Sequence, residues 1–127
     1  MNPKEIENHI RQRFDDRSFD VSALANELNI SESYLREIVN LNYDCSPHHL
    51  IETIRLEKAV LLLNNGHMNI YSVCSKVGYS SRKTFRTAFK KRTGISLHEL
   101  KDILGTSKNV QGEIEKMMHH IWDSSNI

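Results

Sequence analysis

The chain has 127 residues, 39% of them hydrophobic and 26% charged, with only five glycines and two prolines, enough for one domain or two very small ones. Its net charge of +1 hides a strong polarity: residues 1–64 carry 7 basic and 11 acidic side chains (net −4), 65–101 carry 8 and 1 (net +7), and 102–127 carry 2 and 4 (net −2). No apolar run reaches membrane-spanning length, the opening MNPKEIENHI lacks a signal-peptide core, and two cysteines, Cys45 and Cys74, cannot make a disulfide framework or a zinc site, so no membrane partner and a cytoplasmic, reducing location are expected.

No strand-like alternation persists, and the spacing of apolar residues predicts an all-α fold. Pro3 suits the first turn of a helix with Ile6, Ile10 and Phe14 on one face, ending between Asp15 and Ser18. Asp20 caps a short helix from Val21 to about Leu28, Asn29 permits a left-handed turn, and Ser31 caps a helix to about Asn42 with Leu35, Ile38 and Val39 inward. Helix, tight turn and capped helix in that order form a helix-turn-helix.

Ser46-Pro47 opens a longer helix and Asn65-Gly66 closes it. About 18 residues span roughly 27 Å. Leu50, Ile54 and Leu61, with Ala59, Leu62 and Leu63, make this helix apolar on more than one side, as expected of a spacer buried by both its neighbours.

Ile70, Val73, Cys74 and Val77 mark a second short helix, Gly78 supplies a turn, and Ser80 or Ser81 caps a helix to about Thr93. Phe85, Ala88 and Phe89 are its inward stripe, which places Lys83, Arg86, Thr87 and Lys90 on the opposite side. The second helix of such a unit is the one that enters a DNA major groove. Taken alone, a basic helical face is as readily ordinary solvated surface.

An internal repeat changes that balance. At an offset of 49, Val21, Leu24, Ala25, Leu28, Asn29 and Ser31 fall on Ile70, Val73, Cys74, Val77, Gly78 and Ser80. At an offset of 50, Leu35, Val39, Asp44, Cys45, Ser46 and Leu50 fall on Phe85, Phe89, Gly94, Ile95, Ser96 and Leu100. Ser96 then caps a helix from Leu97 to about Leu104, and residues 105–109 read as a linker. Val110, Ile114, Met117, Met118, Ile121 and Trp122 predict one more amphipathic helix, which folds back on the domain; a dimer contact or a scrap of a larger protein are the alternatives. The expected division is 1–45 first unit, 46–66 linker helix, 67–104 second unit and 105–127 C-terminal extension.

Catalysis finds little footing. His48-His49 and His119-His120 are adjacent pairs whose side chains diverge by about 100° and cannot share a metal as an i, i+4 pair does. There is no nucleophile elbow or phosphate loop, and no catalytic residue, metal or cofactor is expected.

With both units in view, SYLREI at 33–38, SP at 46–47, IRLEKAVLLL at 54–63 and VGYSSRKTFRTAFKKRTGIS at 77–96 carry a resemblance. Over roughly residues 4–101 the chain resembles the DNA-binding domain of the AraC-type transcription regulators. The resemblance implies a seven-helix domain whose two recognition helices enter successive major grooves on one side of the duplex. It assigns base-reading positions to Ser33, Arg36 and Glu37 in the first unit and to Arg82, Lys83, Arg86 and Thr87 in the second. It also implies RNA polymerase as a partner, and an effector or dimerisation domain elsewhere in a longer chain. Three departures stand out: Glu37 replaces a basic or neutral residue, Val39 and Leu50 replace larger aromatics, and Leu97 and Leu100 replace proline and tyrosine. Lys90, Lys91 and Arg92 are expected to hold phosphates. The alternative is a protein-interaction module that keeps the fold, with Glu37 and the Met117-Met118-Trp122 face as its contacts.

Overall fold

A computed structural model describes residues 1–66 and 69–123; residues 67, 68 and 124–127, which belong to the expected second unit and C-terminal extension, lie outside the described residues. The described residues form eight α-helices: α1 (Pro3–Arg13), α2 (Val21–Glu27), α3 (Glu32–Tyr43), α4 (Pro47–Asn64), α5 (Ile70–Lys76), α6 (Arg82–Thr93), α7 (Leu97–Thr106) and α8 (Val110–Trp122). Each is started by a side chain that accepts a backbone N–H of its first turn: Asn2, Asp20, Ser31, Ser46, Asn69, Ser81, Ser96 and Asn109.

The repeat extends to the backbone. Asn29 (φ 58°) and Gly78 (φ 89°) take the left-handed conformation in the two turns, and Asp44 (φ 56°) and Gly94 (φ 80°) take it where α3 and α6 end. One register differs from expectation. Ser81, not Ser80, caps α6, so the inserted residue lies in the turn before the cap and Ser31 corresponds to Ser81.

Two cores flank α4. Its N-terminal half buries Leu50, Ile51 and Ile54 with Ile6, Ile10, Leu24, Leu35 and Val39. Its C-terminal half buries Leu56, Ala59 and Val60 with Val73, Val77, Phe85, Phe89 and Leu100. The lighter Val39 and Leu50, and the Leu97 and Leu100 that depart from the family pattern, are all buried, so each still fills its place. Leu61, read as interior, is instead 43% exposed and borders a shallow groove with Met118 and Trp122. Cys45 and Cys74 are free and buried, and no helix of the described residues is long and apolar enough to cross a membrane.

Polar clasps fix the two units to each other. Arg55 of α4 donates to the carbonyls of Phe14 (2.9 Å), Asp16 (3.2 Å) and Phe19 (3.0 Å), which ends α1 at Arg13 instead of between Asp15 and Ser18. Burial lowers its pKa, and those three carbonyls meet the donors left behind. Gly78 sits against the same loop; a Cβ there would lie 2.1 Å from the Phe14 carbonyl oxygen. At the other end of α8, Trp122 Nε1 donates to Glu57 (3.1 Å), which also accepts from Arg11 (2.8 Å). Arg11 reaches Glu7 as well (3.1 Å), and Glu7 accepts from the Tyr43 hydroxyl (2.9 Å). Burial pushes the Glu7 carboxyl up, but the Tyr43 and Arg11 hydrogen bonds outweigh it and hold it below the usual range.

The tail folds back as expected. Ile114, Met117 and Ile121 enter the second core, and α8 packs on α4, α6 and α7. Helix α7 runs through Gly105 to Thr106, past the expected stop near Leu104, and the Thr106 hydroxyl donates to the Asp102 carbonyl (2.7 Å) in its last turn.

Candidate nucleic-acid interface

The two second helices present unlike surfaces. On α6, Phe85, Ala88 and Phe89 are buried, while Arg82, Lys83, Arg86, Thr87, Lys90 and Lys91 are all exposed. Five cations therefore stand on about three turns of helix, each on a side chain long enough to reach a phosphate or a base edge. On α3, Ser33, Arg36 and Glu37 are exposed, but Arg36 is the helix's lone cation beside Glu32 and Glu37. Tyr34 (42% exposed) and Leu41 (82% exposed) add apolar surface to it, and Leu41 occupies the repeat position of Lys91.

Arg92 overturns its sequence assignment. It is 1% exposed, and its guanidinium donates to Glu52 (2.6 Å), to the Thr53 hydroxyl and to the Ile121 carbonyl (2.7 Å). It is an internal staple joining α6 to α4 and α8, and no phosphate reaches it. Periodicity carried the signal: at about 100° per residue, Arg92 lies within about 20° of the inward direction set by Phe85. Reading Lys90-Lys91-Arg92 as one charged block concealed this.

Arg82 has a partner that the sequence reading missed. Its guanidinium lies over the Tyr71 ring of α5, 3.9 Å from the centroid, and Tyr71 is 53% exposed. Such a stack at an exposed site is worth about 0.5–1 kcal/mol and narrows the directions Arg82 samples at the start of α6. The repeat offered a hint, because the first unit has Ser22 and Glu32 at these two positions.

Lys90 pairs with Glu99 at 3.4 Å, both side chains more than half exposed, so exchanging the carboxylate for a phosphate costs little. Glu99 also accepts from the Ser96 backbone in the capping box of α7, and that hydrogen bond, with Lys90, holds its carboxyl below the usual range. The cationic face of α6 borders a groove of about 1590 Å³, whose far side is α7 and the end of α4.

The family described as helix-turn-helix domain matches residues 24–102. The raffinose operon transcriptional regulatory protein RafR of Pediococcus pentosaceus is 36% identical over 73 residues, which is 58% of this chain and 26% of that protein. The chain thus spans about a quarter of that relative's length. Among solved structures, the C-terminal domain of AraT, a response regulator from Geobacillus stearothermophilus, superposes with a TM-score of 0.74 at 30% identity, over 78% of this chain and 82% of that one. The C-terminal domain of the response regulator yesN from Fusobacterium nucleatum gives 0.73 at 30% identity, over 80% of this chain and 99% of that one. A fifth of the present chain therefore has no counterpart in the latter domain.

Proposed function

The chain belongs to the AraC-type helix-turn-helix family and is a DNA-binding regulator domain, and from that premise we propose that α3 and α6 enter successive major grooves of one asymmetric duplex site. The observation that carries this is the pairing of two equivalent backbones with unequal surfaces, held together through α4, Arg55, Gly78 and Trp122. Tandem copies read a non-palindromic sequence, and their contacts fall about one helical turn, or about 10 bp, apart.

In this proposal α6 supplies most of the attraction. Arg82, Lys83, Arg86 and Thr87 read bases, with arginine or lysine on guanine O6 and N7, and Lys90 and Lys91 hold phosphates. On α3, Ser33 and Arg36 read bases, and Glu37 accepts from cytosine N4, since elsewhere on the duplex it would repel phosphate. Residues 1–45 and 67–104 are the two reading units, 46–66 the linker and 105–127 the extension, whose helix α8 packs on α4, α6 and α7. RNA polymerase is the expected partner in a cytoplasmic setting, and an effector or dimerisation domain belongs to a longer chain.

Selection from a random duplex pool, then titration of the selected site, tests the reading. Lys83→Ala and Arg86→Ala should each weaken that site by about 1–3 kcal/mol and relax one position. Lys91→Ala should weaken all duplexes alike and reduce the salt slope by about 0.9. Unchanged affinity of an Arg82/Lys83/Arg86 triple alanine variant would refute the reading.

A second reading, a protein-interaction module, draws on exposed Tyr34 and Leu41 of α3. Of the face first suggested for it, Met117 is buried and the Trp122 indole N–H is tied to Glu57, which leaves half-buried Met118 and the Trp122 ring beside Leu61. Absence of retention on heparin and of any shift with random DNA would favour that module.

A further inference from the structure

The two reading helices rest on different supports. Helix α3 packs chiefly on α1, α2 and α4, and α6 on α5, α7 and α8, so the angle between them is set by whatever joins those groups. Two consecutive residues at the end of α8 reach towards both. The Ile121 carbonyl accepts from Arg92 of α6 (2.7 Å), and Trp122 Nε1 donates to Glu57 of α4 (3.1 Å). From Glu57 the hydrogen bonds continue to the last residue of α3: Arg11 donates to Glu57 (2.8 Å) and to Glu7 (3.1 Å), and Glu7 accepts from the Tyr43 hydroxyl (2.9 Å). Each carboxylate turns one oxygen to each neighbour. Oε1 of Glu57 faces Trp122 and Oε2 faces Arg11, while Oε1 of Glu7 faces Tyr43 and Oε2 faces Arg11. Glu7 is 9% exposed and the Glu57 side chain 18%, so a broken link leaves a poorly hydrated polar group. The Arg55 clasp, by contrast, ends on the loop after α1 and not on a reading helix. Helix α8 lies beyond the family match, which stops at residue 102.

We propose that the last turn of α8 is the anchor that phases α3 against α6, with Trp122 and Glu57 as positioning residues, and that it thereby fixes the spacing of the two DNA segments read. The anchor stands on the hydrogen-bond chain; its effect on spacing rests on the two-groove reading. Adding or removing one base pair between the segments shifts one by about 3.4 Å and turns it by about 35° relative to the other. Helices locked in phase cannot follow that change, and they forfeit the gain of about 10²–10⁴ that comes from engaging both segments at once. Loosened helices follow it and keep part of the gain.

The test is titration of the full chain with the selected duplex and with versions one base pair longer or shorter between the segments. The unaltered chain should lose on the order of a hundredfold or more on either change. Trp122→Phe keeps a ring and drops the N–H, and Glu57→Gln leaves one acceptor oxygen where two donors arrive from different sides. Both variants should lose about tenfold or less on the altered duplexes, with affinity for the selected spacing within about threefold. Tyr43→Phe cuts the far end of the same chain. Combined with Trp122→Phe it should relax the spacing no further than either change alone, whereas separate contributions would add. A second readout needs no DNA. Spin labels at exposed positions of α3 and α6, attached through Asn40→Cys and Thr84→Cys with the buried Cys45 and Cys74 replaced by alanine, report the spread of distances between the reading helices. That spread should be narrow with Trp122 in place and broaden in Trp122→Phe. Unchanged spacing preference in Trp122→Phe and Glu57→Gln, additive effects of Trp122→Phe and Tyr43→Phe, or distances that stay narrow would overturn the proposal. A chain that binds no duplex but whose distances broaden would sink the two-groove reading and leave the anchor standing.

Discussion

Replacing Arg92 separates a staple from a phosphate contact. Arg92→Met keeps most of the aliphatic stem but strands the Glu52 carboxylate, the Thr53 hydroxyl as acceptor and the Ile121 carbonyl. Breaking one side of a buried ion pair costs about 3–5 kcal/mol. The Glu52 side chain is 24% exposed and can regain water, which points to the lower end, about 3 kcal/mol. At about 2.1 cal/mol/K of unfolding entropy per residue, that lowers the midpoint of this 127-residue chain by about 11 °C. Adding Glu52→Gln should restore about 1–2 kcal/mol, because much of the loss is the orphaned charge. The assay is urea and thermal unfolding, paired with duplex affinity across a salt series at a temperature where the variant is folded. Lys91→Met is the control, with stability within about 0.5 kcal/mol and a salt slope lower by about 0.9. A stability loss under about 1 kcal/mol for Arg92→Met, together with the slope change of Lys91→Met, would refute the staple.

Burial first, then the neighbouring Arg92 cation, holds the His49 imidazole below its ordinary 6.5. The unfolded chain therefore binds the extra proton between the folded value and 6.5, so stability is full above about pH 7.5 and falls as pH drops through 6.5; His49→Gln should flatten that slope in pH-dependent unfolding. Gly78→Ala, with φ 89° and a Cβ directed at the Phe14 carbonyl, should cost about 3 kcal/mol or more, whereas Asn29→Gly at the equivalent turn should change urea stability by less than about 0.5 kcal/mol. Tyr71→Ala removes the platform under Arg82 and should weaken the selected duplex about two- to fivefold without lowering the salt slope. Ile121→Ala, at a fully buried position against the second core, should lower stability by about 3 kcal/mol, read as a shift in urea midpoint.

Helix positions were legible because their signals are local. Ser31, Ser46 and Ser96 sit where apolar periodicity begins and cap the helices they precede. The turn at Gly78 was equally plain, since a left-handed residue with no side chain marks itself in the sequence, but the choice between Ser80 and Ser81 was not. Both residues can cap, and because the Tyr79 N–H meets the Cys74 carbonyl just as the Ile30 N–H meets that of Ala25, the extra residue falls at Ser80, after the matched part of the turn. Leu61 misled for a related reason: an apolar residue on a two-sided helix is covered only if a neighbour reaches that side.

At the interface the division is the same. The exposed cationic face of α6 followed from stepping around a helix whose inward stripe is set by two phenylalanines. The opposite fate of Arg92, the stack of Arg82 on Tyr71 and the clasp of Trp122 on Glu57 each join residues from different helices. Their partners lie 40, 11 and 65 positions apart along the chain.

By itself the sequence determined the helices, the duplication and the segment that carries the positive charge, because caps, periodicity and charge act within a few residues of where they are written. Only the tertiary structure decided which cations meet solvent and how the two units are locked to each other. A guanidinium beside water and one sealed under a returning helix are the same letter, and burial is a property of what the rest of the chain brings to it.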